Sequence, residues 1–292
     1  MAQRASESRE LVRGAARFKD LVYVISKGKA LLEKDVAHSS LIAVDQGEWS
    51  DAADTTWNST AVAVARKPEE KAVLVGEDGD VVTYVGGKSK KEAIKPAPVM
   101  IRNAKTIDGE VYACGMKRQV FRRTGEKKWL DMSAPRAGDT EALGFEAIDG
   151  FAANDIYAAG WGGEVWRWDG ARWSACASPT TATLTAICCA GDGRVYAAGQ
   201  GGVLLRGRGD TWELVPWADE VSVDLWDLCW FQGVLYVATM TGLFTLQGNR
   251  LEAVDMGGPV TCYSLSEAED VLWSVGVADV ASFDGTTWTR YD

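Results

Sequence analysis

Five segments of the chain repeat one arrangement of apolar, aromatic and small residues: VYACG at 111–115, IYAAG at 156–160, VYAAG at 195–199, LYVAT at 235–239 and LWSVG at 272–276. AVLVG at 72–76 fits more loosely. Short apolar runs bounded by turn residues predict buried strands. Taking Gly76, Gly115, Gly160, Gly199, Thr239 and Gly276 as equivalent gives spacings of 39, 45, 39, 40 and 37 residues, the length of one four-stranded unit. After four of these anchors come a short turn, a further strand such as EVWRWDG or VASFDG, a second turn and a tryptophan. The turn-to-Trp pairs are Gly170 to Trp173, Gly209 to Trp212, Gly285 to Trp288 and, more loosely, Gly125 to Trp129. The pairs Asp169-Gly170 and Asp284-Gly285 supply the positive φ of a tight hairpin. LTAICCA, DLCWFQG and VTCYSLS, each before an anchor, supply the first strand of their units.

Towards the N-terminus the pattern diverges. LVYVIS at 21–26 followed by KALLEKD has the rhythm of an anchor and its next strand, while GEWSDAADTTWNST reads as a loop excursion. Residues 1–71 are thus expected to form a divergent first blade with a loop, within a single domain spanning 1–292. A lone four-stranded meander cannot bury both faces, whereas radially arranged copies pack face to face and close into a ring. The expected fold is an all-β single β-propeller of four-stranded blades, seven in number, with six as the alternative. In its repeated VYAAGxxGxVxRxxGxxW units the chain resembles bacterial β-propellers of the kelch-like, YVTN and photosystem II assembly-factor kinds. The resemblance covers residues 72–292 well and 10–71 weakly; it implies architecture and leaves function open.

Composition narrows the chemistry. With 47% apolar and 25% charged residues over 292 positions, the chain is built to fold. No apolar run approaches the roughly 18 residues of a membrane span, and MAQRASESRELVRGAARF lacks the apolar core of a secretory signal, so a cytoplasmic location is expected. One histidine, His38, excludes a multi-His metal site, and six cysteines without CxxC spacing read as reduced core thiols. No cofactor or metal is expected. Charge is strongly divided: residues 1–130 carry 23 Lys or Arg against 18 Asp or Glu, net plus 5, whereas residues 131–292 carry 8 against 23, net minus 15. Such a field attracts a basic partner and repels nucleic acid and anionic lipid.

Several motifs look chemical. GWGG at 160–163 and GQGG at 199–202 recur at equivalent positions and precede no helix, so they read as inter-strand turns rather than phosphate loops. GEDGD at 76–80 lacks the calcium-loop pattern, and RGD at 208–210 falls on a hairpin turn. Residues 217–230 place three tryptophans and four carboxylates within fourteen positions. By the repeat register Trp217, Asp219 and Glu220 lie near the ring opening, with Trp161, Asp139, Glu141 and Asp279 at the same end. Indoles ringed by charge suit a protein interface, whereas Trp166, Trp168, Trp226 and Trp230 read as repeat core.

The leading expectation is therefore a non-enzymatic, monomeric propeller that binds a basic protein through an acidic, Trp-containing face. A specific form is an immunity-type inhibitor capping a secreted bacterial toxin or effector domain. Two alternatives stand beside it: a hydrolase or lyase acting on a sugar or small molecule in the central channel, and an assembly or scaffolding factor. The enzyme requires convergent polar groups on inner strands, and LTAICCA and DLCWFQG are largely apolar.

Overall fold

Each repeat folds into four antiparallel strands hydrogen-bonded in chain order, and seven such sheets make up the ring. The computed structural model describes residues 5–136, 143–217 and 223–291. Blades 1 to 7 occupy residues 9–55, 59–93, 101–131, 145–175, 184–214, 225–253 and 264–290. Seven blades, not six, close the circle. The anchor segments are the second strands, fully buried because each lies between neighbouring blades; in IYAAG, for example, all five residues are buried. Tryptophans of the outer strands turn inward, and Trp173 donates its Nε1 hydrogen to the Met132 carbonyl at 2.6 Å.

The glycine at the end of the anchor answers to close approach, since its backbone is extended. A Cβ at Gly115, Gly160, Gly199 or Gly276 would sit 2.0 Å from the carbonyl oxygen of Met100, Gly144, Thr183 or Thr261, where the chain enters the inner strand. The Asp-Gly turns behave as read: Gly170 and Gly285 have φ of 96° and 97°, and Asp169 and Asp284 accept two following backbone N–H groups each.

Blade 1 departs from expectation in two places. KALLEKD is not its third strand; Lys29–Leu32 forms one helical turn and the third strand is Ser39–Asp45. Ala-Leu-Leu favours a helix, and none of its residues is buried. The stretch taken for a loop excursion contains the outer strand, Glu48–Thr55. Seven of its eight residues escape full burial, so it carries no apolar signature. Residues 59–71 already belong to blade 2.

Among the described residues no strand is exchanged to close the ring. The inner strand of blade 1, Arg9–Phe18, packs against blade 7, and Leu11 N–H donates to the Val277 carbonyl at 2.9 Å. Ser266 Oγ accepts Ala16 N–H at 3.0 Å across the same seam. An inner strand is a sheet edge with unpaired backbone groups, and side chains of adjoining blades satisfy part of that edge. Asp149 accepts Cys189 N–H and Asp227 accepts Leu265 N–H, both at 2.8 Å.

Candidate functional site

Two regions could carry function: the ends of the ring and its axial channel. One end, here the connection end, holds the turns between second and third strands and the links from each blade to the next. Trp161 lies there in the blade 4 turn Trp161–Gly163, 42% exposed, in a conformation that its neighbours Gly162 and Gly163 permit with φ of 65° and 74°. Its indole N–H donates to Glu146, which also receives Arg102 Nε at 2.9 and 3.0 Å. Arg102 and Glu146 occupy β-bulges at the start of their inner strands, as do Val12, Thr60, Thr185 and Trp226 in four other blades. A bulge re-aims one side chain out of the ladder, and in six blades it does so at this end.

Trp217 and Asp279 are at the connection end as well. Trp217 is half-buried over Gly202, donating its indole N–H to the Gly202 carbonyl at 2.8 Å. Asp279 accepts Thr261 N–H and hydroxyl at 2.9 and 2.7 Å and pairs with Arg290 at 2.7 Å. Both side chains thus brace turns, while Trp161 presents its ring to solvent. Asp139, Glu141, Asp219 and Glu220 lie outside the described residues. Among the described residues, most exposed large apolar side chains also gather at the connection end. Val36, Val99, Leu143, Trp161, Met240 and Val277 are spread around its circumference. No long run of consecutive apolar residues announces this annulus, because each turn or link contributes only one or two exposed positions.

Of the tryptophans assigned to the repeat core, Trp166, Trp168 and Trp230 pack against it. Trp226 stacks on Tyr263 with ring centroids 4.9 Å apart. His38 is a buried structural imidazole: Nε2 accepts Gly28 N–H and Nδ1 donates to the Val36 carbonyl, both at 2.7 Å. Among the described residues no group of three or more His, Cys, Asp or Glu is placed to hold a metal ion. No helix among them is long and apolar enough to cross a membrane. All six cysteines are free, and burial raises Cys176 to about 11 and Cys229 to about 12, so these thiols are protonated at neutral pH.

The channel is more polar than LTAICCA and DLCWFQG suggested. Its cavity of about 360 Å³ is lined by inner strands of all seven blades, including Arg13, Asn103, Lys105, Asp149, Asp227 and Glu267. These charges come from blades 1, 3, 4, 6 and 7. The signal available in the sequence was register: Lys105, Asp149, Cys188 and Cys229 all pair with the Tyr of their anchor.

The fold and the apolar, Trp-bearing connection end together define a seven-bladed β-propeller with a surface suited to protein contact. No protein-family model matches the chain. It is 43% identical over 296 aligned positions, covering 96% of both sequences, to the immune protein Tsi7 of Pseudomonas aeruginosa, and it belongs to that protein's family. Among solved structures it is similar to YCF48 bound to D1 peptide, with a TM-score of 0.66, 15% identity and coverage of 93% of this chain and 90% of that one. It is also similar to an inactive virginiamycin B lyase of Staphylococcus aureus with quinupristin, with a TM-score of 0.63, 12% identity and coverage of 80% and 83%. At these identities the two structures speak to fold alone.

Proposed function

We propose that the protein is a non-enzymatic immunity protein that neutralises a bacterial toxin by binding it at the connection end of the ring. The observation that carries this reading is near full-length similarity to an immune protein. The partner's contact surface is basic, matching the net charge of minus 15 over residues 131–292. In this mechanism Trp161 is the exposed anchor. Trp217 and Asp279 hold the neighbouring turns in shape, and Asp139, Glu141, Asp219 and Glu220 steer approach. Indoles suit this role because they bury a large area at small entropic cost while the N–H keeps an acceptor, as that of Trp161 does on Glu146.

The test is co-expression with the product of any toxin-like gene found beside this one, followed by co-purification. A stoichiometric complex and restored growth support the reading. Growth arrest despite abundant folded immunity protein, with no complex recovered, overturns it.

A further inference from the structure

The channel holds charges that do not touch one another. Arg13 on blade 1 and Lys105 on blade 3 face a cavity whose other walls bear Asp149 on blade 4, Asp227 on blade 6 and Glu267 on blade 7. Among the described residues none of these five side chains forms an ion pair. Asp149, Asp227 and Glu267 accept only backbone N–H groups, and Arg13 and Lys105 have no hydrogen-bond partner. The cationic wall belongs to blades 1 to 3, where Arg66 also lines the cavity but is already paired with Glu70 at 2.8 Å, and the anionic wall belongs to blades 4, 6 and 7. A lone anion in this space would meet three carboxylates, and a lone cation would meet a guanidinium and an ammonium. A molecule carrying both charges satisfies both walls at once. The carboxylates already hold backbone N–H groups, whereas Arg13 and Lys105 would gain their first hydrogen-bond partner, and desolvated charges left without partners are costly.

We propose that the central channel is a binding site for a small zwitterion of amino-acid size, its carboxylate held by Arg13 and Lys105 and its ammonium by Asp149, Asp227 and Glu267. The volume of about 360 Å³ lies at the small end of ligand cavities. The field across the channel is strong enough to be felt at Lys105. Burial opposes its charge, yet Asp149 and Asp227 outweigh that and raise its pKa above the ordinary lysine value. The occupant would touch inner-strand side chains of the channel rather than the turns of the docking end, so small-molecule binding and partner binding are measured separately.

Calorimetric titration of the full-length protein with glycine, β-alanine, 4-aminobutyrate and 6-aminohexanoate tests the proposal, with sodium acetate and methylammonium chloride as single-charge controls at matched ionic strength. Affinity is expected to peak at one chain length, because the two charges must span the walls, and to exceed both controls by about tenfold. Lys105→Met and Glu267→Gln should each weaken it by about tenfold. Glu267 is exposed at the channel wall, so Glu267→Gln carries the test if the lysine variant does not fold. Heats of dilution across the whole series, or acetate binding as well as the amino acids, would overturn it.

Discussion

A methyl group added at Gly160 would lie 2.0 Å from the Gly144 carbonyl oxygen, inside any tolerable contact, so Gly160→Ala must push the blade 3 to blade 4 link away from the anchor strand. Overpacking of this kind costs about 1–3 kcal/mol, to be read as a lower urea midpoint with an unchanged slope. The two tryptophans at the connection end separate in the same assay. Trp161→Ala should leave stability within about 0.5 kcal/mol but weaken partner binding by 2 kcal/mol or more, roughly thirtyfold. Trp217→Ala removes a ring packed on Gly202 and its hydrogen bond to the Gly202 carbonyl, so its first effect should be lost stability.

At the scale of elements, neighbouring sheets are joined by polar groups as well as by apolar faces. Arg123 on the third strand of blade 3 and Glu92 on the outer strand of blade 2 form a bidentate pair at 2.7 and 3.0 Å, with side chains 1% and 0% exposed. Removing one partner strands the other charge in the core. Glu92→Gln or Arg123→Met should therefore cost about 3–5 kcal/mol, whereas replacing both with methionine should recover most of it. Chemical denaturation of the three variants checks this, and equal losses in single and double variants would show that the pair does not act as a unit. Blade structure was legible where apolar runs are flanked by glycines, which is why the anchors and Trp strands of blades 3 to 5 and 7 could be placed. It was illegible in blade 1, whose outer strand EWSDAADT mixes small and acidic residues without an apolar alternation. A cue was nonetheless present: DQGEW at 45–49 sets Trp49 two residues after a glycine of φ 85°, against three or four residues in the other Trp strands. The long-range pairing of Arg123 with Glu92 had no local signature. Likewise the carboxylates at 139, 141, 219 and 220 could be nominated from register alone, while the bracing partners of Trp217 and Asp279 emerged only from the packing of turns.

Across the whole molecule, charge and burial give the ring a directional response to pH. Cys176 and Cys229 keep their protons to about 11 and about 12 because burial disfavours the thiolate, whereas unfolded thiols ionise near 8.5. Raising pH through that interval pulls protons from the unfolded chain first and so favours unfolding. Lys105 acts in the same direction, since its raised pKa adds stability that is present at neutral pH and lost as pH rises beyond the ordinary lysine value of about 10.4. The melting temperature should thus hold between about pH 6 and 8 and fall progressively above about 9. A melting temperature unchanged up to about pH 10.5 would contradict this assignment.

The distribution of exposed apolar side chains favours one end of the propeller for docking. Hydrogen–deuterium exchange of the protein alone and in complex with the proposed toxin partner separates the two ends. Protection on binding is expected at the turns 116–118, 161–163, 200–202 and 276–279, with the opposite turns at 66–70, 108–109 and 153–154 unchanged. Protection confined to those opposite turns would place the partner on the wrong end and refute the proposed interface.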